Sequence, residues 1–260
     1  MNPTTSSFSL ERIRVVLCRT SHPGNIGSAA RAMKTMGLTQ LYLVTPLCDL
    51  AEQAVADEAV ALASGADDVL AAATVCNSLD EALAGTVFTV ALSARRRNIG
   101  PEPMQARLAA VEIAARAAGD SGGEVALVFG NETSGLSNEE AQRCDRLAAI
   151  PANPGYSSLN LAAAVQVFAY ELRMAAYAEA PPEVTLAVPF SSPAAKRDEI
   201  EGFFGHLERV MVSTGFHDPA QPKRLLPKLR RLFGRTALEK DEVNILRGIL
   251  AAVEQKLVVK

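Results

Sequence analysis

Three polar loops contain the residues of this chain whose types and spacing are suited to chemistry. The loops are residues 20–28, 129–137 and 153–160. The first contains Asn25 and leads to Arg31, the second places Glu132 between two glycines, and the third ends in Ser158 and Asn160 before an apolar helical pattern. Free backbone N–H groups point outward at a helix N-terminus. Loops of this kind can therefore hold a small ligand through main chain and side chains together.

Each loop also has a purely structural interpretation, which the residues alone leave open. Arg31 is flanked by alanine and methionine, which is unusual for a solvated arginine, but it could pair with a carboxylate inside the fold. The loop around Glu132 could be an ordinary turn between a strand and a helix. Ser157 or Ser158 could be the N-cap of the following helix, since serine is a preferred capping residue.

Several common kinds of site are excluded by the absence of their motifs. No GxGxxG follows a strand pattern and no GxxxxGK[ST] occurs, which argues against a Rossmann dinucleotide site and a P-loop. No GxSxG surrounds a serine, so a hydrolase nucleophile elbow is absent, and a pairing of His22 with Ser158 is a weak alternative. The four cysteines and three histidines are scattered without zinc spacing, and no metal site is expected.

Short apolar runs that alternate with helical patterns predict the elements that position the loops. Strands are predicted at residues 13–18, 41–44, 87–92, 124–129 and 147–150, and helices at 26–36, 55–63, 79–83, 108–118, 138–144 and about 162–178. Residues 95–103 are predicted to be a basic, irregular loop. This alternation is typical of an α/β fold with a mainly parallel sheet, in which ligands bind at the carboxyl ends of the strands. Because all three loops follow strands, we expect one composite site.

The end of the chain differs from the rest in composition and charge. Residues 179–195 contain four prolines and no periodicity, which predicts a linker after a first domain at residues 1–178. Helical patterns at 197–214, 222–233 and 241–257 predict a small helical domain over residues 196–260. Residues 1–195 carry a net charge of −7, whereas residues 196–260 carry +4. The basic stretch at 223–235 could face a polyanion or could be a solvated helix face.

The cysteine usage and the hydropathy predict a cytoplasmic protein. The cysteines form no CxxC and are too sparse for a disulfide scaffold. No stretch approaches the roughly 20 apolar residues of a membrane span, and residues 1–10 lack a signal pattern. We therefore expect a reducing compartment and no membrane partner.

The motifs of the three loops resemble those of the SPOUT class of RNA ribose methyltransferases. The resemblance is carried by Asn25 and Arg31 six residues apart, by FGNETSGL at 129–136, and by Ile150-Pro151 followed by SLNL at 158–161. The tail segments FGHLE at 204–208 and NILRGIL at 244–250 extend it over nearly the whole chain. They favour the branch of the class that methylates the anticodon loop of tRNA.

The resemblance implies a fold, a cofactor and an assembly. The C-terminal segment of the first domain would thread a deep knot, which is rare among proteins, and the protein would be a homodimer with an isologous interface. S-adenosylmethionine would be the methyl donor. The positions implied to hold it are Leu92, Ser93, Ala94, Gly130, Ile150, Ser157, Ser158 and Leu159.

The implied reaction is attack of a ribose 2′-hydroxyl on the cofactor methyl group, without a metal. The resemblance gives Arg31 the role of activating the hydroxyl. A guanidinium stays protonated up to a pKa above ~12, so the alternative is that Arg31 orients ribose and phosphate and stabilises the developing alkoxide. Asn25, Glu132, Ser158 and Asn160 would position Arg31 and the nucleotide.

An RNA substrate makes the basic residues candidate phosphate contacts. The predicted RNA-binding residues are Arg95, Arg96, Arg97, Lys223, Arg224, Lys228, Arg230, Arg231 and Arg235. The expected function is 2′-O-methylation of cytidine or uridine at position 32 of tRNA, with no DNA partner. The alternatives are the same chemistry on ribosomal RNA, a catalytically silent RNA-binding homologue, and a nicotinamide-dependent oxidoreductase, which lacks its glycine motif.

Overall fold

In the computed structural model, which describes residues 10–93, 103–118, 123–177 and 192–258, seven strands form one parallel sheet. They are β1 (Ile13–Cys18), β2 (Gln40–Val44), β3 (Thr74–Cys76), β4 (Thr86–Leu92), β5 (Pro103–Gln105), β6 (Glu124–Phe129) and β7 (Arg146–Ala149). The order across the sheet is β3-β2-β1-β6-β4-β7-β5, and every neighbouring pair is parallel. The predicted α/β architecture is therefore confirmed.

The helices of the described residues begin and end close to the predicted positions. They are α1 (Pro23–Met36), α2 (Gln53–Ala63), α3 (Asp67–Ala71), α4 (Leu79–Leu83), α5 (Ala106–Ala117), α6 (Asn138–Gln142), α7 (Leu161–Tyr177), α8 (Arg197–Ser213), α9 (Leu225–Gly234) and α10 (Lys240–Val258). The clearest shift is at α9, which was predicted from Pro222. Lys223 and Arg224 have φ values of +43° and +60°, and this left-handed backbone delays the helix to Leu225.

Both faces of the sheet are covered, which explains the continuous apolar strands. All six residues of β1 are buried. Ile13, Val15 and Leu17 point into a core formed with α1, α5 and α7, whereas Val16 and Cys18 point to the opposite face, where α4 and residues around α6 pack. Phe168 of α7 is fully buried in the first core, and truncation of such a side chain typically costs about 3–5 kcal/mol.

A glycine allows α1 and α2 to pack at unusually short range. A Cβ atom on Gly27 would lie 2.0 Å from the carbonyl oxygen of Ala59, so there is no room for a side chain at this position. The contact holds the start of α1 against α2, next to the first polar loop. Gly27 therefore has a packing reason independent of any ligand.

The edge strand β5 is one of three short elements that the sequence did not predict, together with α3 and β3. Its three residues, Pro-Met-Gln, lack β-branched side chains, and proline is tolerated because the strand lies at the sheet edge. β7 pairs between β4 and β5, although these two come earlier in the chain and are joined by residues 93–102. Residues 94–102 lie outside the described residues, so the knot itself stays a prediction.

The last three helices pack around an aromatic core of their own. The rings of Phe203 and Phe204 are 5.2 Å apart, and Phe233 of α9 contacts Phe203 edge-on at 5.0 Å. A backbone hydrogen bond of 2.9 Å from Ala195 to Leu238 attaches the preceding segment to this helical cluster. Within the part of the chain described, no helix is both long enough and apolar enough to cross a membrane.

Candidate active site

The three polar loops meet at the carboxyl edge of the parallel sheet. They follow β1, β6 and β7, and the first and third continue into α1 and α7. β1 and β6 are adjacent, and only β4 lies between β6 and β7. Parallel strands bring their carboxyl ends to one edge, so loops that are more than 100 residues apart in the chain become neighbours.

The carboxylate of Glu132 joins the second loop to the first. Its Oε2 accepts hydrogen bonds from the backbone N–H and the Oγ of Ser21, at 3.1 and 3.0 Å. Its Oε1 accepts from Nδ2 of Asn25 at 2.9 Å and from the backbone N–H of His22 at 3.3 Å. A carboxylate with this many donors is held in one orientation and is well suited to fix Asn25.

These donors also keep Glu132 ionised. Partial burial by itself would raise the pKa of the carboxyl group, but hydrogen bonds from Asn25, from the loop backbone and from Ser21 outweigh it and hold the pKa below the ordinary 4.5. Glu132 is therefore a poor proton acceptor near neutral pH. Its geometry and its pKa both favour a positioning role.

Asn160 joins the third loop to the first and also caps α7. Its Nδ2 donates to Oδ1 of Asn25 at 3.0 Å. Its Oδ1 accepts the backbone N–H groups of Ala162 and Ala163 at 2.9 and 3.3 Å, which is N-cap geometry. The cap of α7 is thus Asn160, and not Ser157 or Ser158, the alternative that the sequence left open. Both serines are exposed and free to face a ligand.

The second loop is closed by contacts within itself. A Cβ atom on Gly130 would lie 2.1 Å from the backbone of Gly135 and Leu136, so only glycine fits there. Asn131 is buried, and its Oδ1 accepts the backbone N–H of Thr133 at 2.9 Å. Its Nδ2 donates to the carbonyl of Arg19 at 2.6 Å and ties the loop to the end of β1.

Arg19 is a supporting residue that the sequence analysis missed. Its Nε and Nη2 bind both carboxylate oxygens of Glu140, at 3.0 and 2.7 Å, and Nη2 also donates to the carbonyl of Gly135 at 3.2 Å. Arg19 has φ +53°, an uncommon conformation for a residue with a side chain. Its partners lie more than 100 residues away in the chain, so the only local signal was an arginine directly after a buried strand.

The residues predicted to hold the cofactor line one cleft. Leu92, Ser93, Gly130, Ile150, Ser157, Ser158 and Leu159 all border it, together with Glu132 and Leu161. The cleft volume is about 250 Å³, near the lower end of the ~300–1,000 Å³ found for small-ligand sites. Ala94, the remaining predicted member, lies outside the described residues.

Arg31 is on the same helix as Asn25 but apart from the hydrogen-bonded cluster. Six residues of helix place its Cα about 9 Å further along the axis. The side chain is exposed, and within the described residues its guanidinium makes no hydrogen bond or ion pair. The structure therefore brings Asn25, Glu132 and Asn160 together and leaves Arg31 outside their contacts. The structural alternative, in which Arg31 pairs with a carboxylate inside the fold, does not occur among the described residues.

The residues predicted to bind RNA divide into three groups. Arg95, Arg96 and Arg97 lie outside the described residues. Five are exposed on or near α9, namely Lys223, Arg224, Lys228, Arg231 and Arg235.

Arg230 forms the third group, because its guanidinium group is bound within the fold. It forms two hydrogen bonds of 2.6 Å to Glu201 and stacks over the ring of Phe204 at 4.4 Å. Two of its five donors are thus engaged within the protein. Among the described residues, no group of three or more histidine, cysteine and carboxylate side chains could hold a metal ion.

Two family models together match most of the chain. The model described as the SpoU rRNA Methylase family matches residues 12–170, which include all three loops. The model described as the C-terminal domain of tRNA methyltransferase TrmJ matches residues 198–260, which include α8, α9 and α10.

Two relatives named as tRNA methyltransferases are similar over nearly their whole length. The tRNA (cytidine/uridine-2′-O-)-methyltransferase TrmJ of Cronobacter sakazakii is 49% identical over 249 residues, covering 94% of this chain and 97% of the relative. The tRNA (cytidine/uridine/adenosine-2′-O-)-methyltransferase TrmJ of Pseudomonas aeruginosa is 49% identical over 252 residues, covering 95% of each.

A solved structure supports the same relationship at the level of the fold. The crystal structure of TrmJ from Z. mobilis ZM4 superposes with a TM-score of 0.77 at 31% identity, covering 93% of this chain and 98% of that one. On the joint strength of the matched models, the similar sequences and the common fold, the chain belongs to the SpoU methylase family and carries the TrmJ-type C-terminal domain.

Proposed function

We propose that this protein is a tRNA 2′-O-methyltransferase that transfers the methyl group of S-adenosylmethionine to the ribose of nucleotide 32 in the anticodon loop. One observation carries the proposal: two TrmJ enzymes named for tRNA 2′-O-methylation are 49% identical to this chain over almost its entire length. The substrate bases are cytidine and uridine. Of these two relatives, only the Pseudomonas aeruginosa enzyme has adenosine in its name. Methyl transfer to a tRNA with adenosine at position 32 tests whether this protein accepts adenosine.

The cleft at the carboxyl edge of the sheet fits the cofactor of this family. Leu92, Phe129, Ile150 and Leu159 supply apolar walls, and Ser157 and Ser158 supply hydroxyl groups at its rim. When bound, S-adenosylmethionine supplies an electrophilic methyl group on a positively charged sulfur, so no metal is needed. The residues of the chain then have to align the ribose oxygen with that methyl group and stabilise the charge that develops.

The hydrogen-bonded cluster supplies the alignment. Glu132 holds Asn25, and Asn25 holds Asn160, so the three loops that border the cleft are fixed relative to one another. Ser158 lies on the cleft wall with its hydroxyl available to a nucleotide. Arg31 orients the ribose and its phosphate and stabilises the developing alkoxide, since a guanidinium cannot act as a base near neutral pH. The hydroxyl proton leaves to phosphate or water.

A homodimer would bring Arg31 to a cleft. Tyr170, Met174 and Tyr177 lie on one face of α7, and 48%, 48% and 65% of their surfaces are exposed. An apolar stripe of this kind, on the second half of α7, favours an isologous interface along that helix. In such a dimer the exposed Arg31 of one protomer reaches the cleft of the other, which accounts for its separation from Asn25.

The dimer is tested by sedimentation of the full chain and of Met174→Glu. We expect the wild type to sediment as a dimer and the variant as a folded monomer with little activity. Val60→Glu is the matched control, because Val60 is equally exposed, at 47%, on α2, outside the α7 stripe. A monomeric wild-type protein, or dissociation by both variants alike, would contradict the arrangement.

The helical segment would contribute the tRNA contact. We place a catalytic domain at residues 1–178, a linker at 179–195 and a helical domain at 196–260. The five exposed basic residues of the last part, Lys223, Arg224, Lys228, Arg231 and Arg235, form the RNA surface, together with Arg95, Arg96 and Arg97. A cytoplasmic location agrees with the four cysteines, none of which is in a disulfide.

Ribosomal RNA is the alternative substrate, favoured by the description of the matched SpoU family. Methyl transfer from labelled S-adenosylmethionine to unmodified tRNA and to ribosomal RNA decides between them when the product nucleotide is mapped. We expect ribose methylation at position 32 of tRNA and none of ribosomal RNA. Transfer only to ribosomal RNA would overturn the substrate, and cofactor binding without any transfer would indicate a silent RNA-binding homologue.

Arg31→Ala in the same assay tests the catalytic assignment. We expect loss of methyl transfer with retained cofactor binding, because the proposed role of Arg31 is toward the ribose and its phosphate and not toward S-adenosylmethionine. Arg107→Ala removes an equally charged but peripheral residue and should remain active. Full activity of Arg31→Ala would leave the chemistry in place and refute the role of Arg31.

A further inference from the structure

A second cavity lies at the opposite edge of the sheet from the candidate active site. It is bordered by Phe88 near the amino end of β4, by Arg146 at the amino end of β7, and by Phe233 and Leu238 of the C-terminal helical cluster. Its volume is about 50 Å³, which is room for a few water molecules or one small polyatomic ion. We call it the arginine cavity because of its most frequent lining residue.

Six arginines border the arginine cavity, and they outnumber the carboxylates that balance them. The six are Arg116, Arg146, Arg197, Arg230, Arg231 and Arg235. Arg116 and Arg146 share the single carboxylate of Glu112 at 3.5 and 3.4 Å, distances longer than good charged hydrogen bonds. Arg197 and Arg230 share Glu201, and Arg197 also pairs with Asp145 at 3.1 Å.

The two arginines from α9 and its end add charge without any counter-ion. Arg231 and Arg235 are exposed at the cavity mouth, and neither forms an ion pair within the described residues. Three carboxylates therefore face six guanidinium groups. Four of these guanidinium groups lie inside the fold with the three carboxylates, and the exposed pair at the mouth adds positive potential, so the arrangement attracts an anion.

In addition, Arg197 has a buried hydrogen-bond donor without an acceptor. The residue is 6% exposed, and its buried Nε has no acceptor among the described residues. Buried donors in folded proteins are nearly always paired, so an unsatisfied guanidinium N–H in a residue that borders this cavity favours an acceptor that binds there. Burial also lowers the pKa of the neighbouring Arg116, a shift that a bound anion would oppose.

We propose that the arginine cavity is an oxyanion site that binds a phosphate group. A tetrahedral phosphate presents several acceptors at once, which suits the fork geometry of converging guanidinium groups. The group lies between the sheet and the C-terminal helices, so its binding stabilises their association. The phosphate is either a free ion or part of the RNA backbone, and both have the same chemistry.

Thermal unfolding of the full chain in phosphate, compared with chloride at equal ionic strength, tests the site. We expect phosphate to raise Tm by roughly 3–6 °C at ten times its Kd, with chloride far less effective. The double variant Arg231→Gln/Arg235→Gln, which changes only exposed residues at the mouth, should lose most of this rise. Lys223→Gln/Lys228→Gln is the matched control, because both lysines are exposed, lie near α9 and do not border the cavity.

The same variants distinguish the two sources of phosphate. If the RNA backbone supplies it, free phosphate competes with tRNA at constant ionic strength, and the arginine pair weakens tRNA binding more than the lysine pair. If a free ion supplies it, phosphate raises Tm equally in the tRNA complex. Equal effects of phosphate and chloride, or equal loss in the two double variants, would overturn the proposal.

Discussion

Glu132 illustrates how a single ionised side chain can organise a site without taking a proton. Glu132→Gln keeps the shape of the side chain but presents an NH₂ group to donors from Ser21, His22 or Asn25. Hydrogen bonds to a charged group are typically worth ~1.5–3 kcal/mol, so we expect kcat to fall roughly 10- to 100-fold. Steady-state methyl transfer with saturating cofactor and tRNA measures this, and wild-type kcat in the variant would refute the positioning role.

The lowered pKa of Glu132 makes a linked prediction about stability in acid. Because the pKa is lower in the folded than in the unfolded chain, its contribution to the free energy of unfolding is present above the unfolded value of 4.5 and is lost as pH falls through the folded value. We expect Tm of the wild type to fall between about pH 5 and 3, and Glu132→Gln to fall less steeply. If Tm depended on pH in the same way in both proteins, Glu132 would contribute nothing to the pH dependence of stability.

The second loop depends on one position without a side chain. In Gly130→Ala the new methyl group must displace the backbone of Gly135 and Leu136, which borders the cleft. We expect cofactor affinity to fall at least tenfold in a titration with S-adenosylmethionine. Gly205→Ala is the control, because its Cβ meets nothing within 4 Å in the middle of α8, and there alanine should stabilise by about 0.4–1 kcal/mol. Wild-type affinity of Gly130→Ala for S-adenosylmethionine would show that the loop backbone can shift to accommodate the methyl group.

At the scale of the secondary-structure element, Asn160 combines the cap of α7 with a contact to Asn25. The two functions can be separated, since aspartate keeps the capping oxygen but has no amide to donate to Oδ1 of Asn25. We expect Asn160→Asp to retain nearly wild-type stability and to lose activity. Asn160→Ala should lose activity and also about 1 kcal/mol of stability.

Urea unfolding and methyl transfer on the same preparations measure both effects of the Asn160 variants. Ser78→Ala is a useful reference, because Ser78 caps α4 through the backbone N–H of Glu81 at 3.2 Å. That cap lies away from the cleft, so its loss should affect stability alone. If Asn160→Asp were as active as the wild type, the contact with Asn25 would have no part in positioning.

At the scale of the whole molecule, the sequence predicted the sheet and the meeting of the three loops, because both depend on local periodicity and on the geometry of parallel strands. It did not predict β5, whose three residues form a strand only because β7 offers an edge to pair with. It also missed Arg19 with Glu140, and the internal role of Arg230. Those contacts join residues far apart in the chain, where no periodicity connects them.

The attachment of the C-terminal helices to the sheet depends on such a long-range contact. Glu201 of α8 binds Arg197 and Arg230 from the helical cluster and Arg143 from the end of α6, at 2.9, 2.6 and 2.9 Å. Burial by itself would raise the pKa of Glu201, but these guanidinium groups, Arg230 first, outweigh it and hold the pKa below 4.5. The carboxylate therefore stays charged and connects the two parts of the molecule.

Removing the charge of Glu201 should lower the stability of the protein without changing the cofactor cleft. Glu201→Gln leaves three guanidinium groups without their shared partner, and we expect Tm to fall by roughly 5–10 °C near neutral pH. The difference should begin to shrink as pH falls below the unfolded-state pKa of 4.5 and should vanish below the lowered folded-state pKa of Glu201, where the wild-type carboxylate is itself protonated. Glu208→Gln on the same helix is the control, because Glu208 has no ion pair among the described residues. Cofactor affinity should be unchanged in both variants, and an equal Tm for the two would show that the helices are held to the sheet by apolar packing instead.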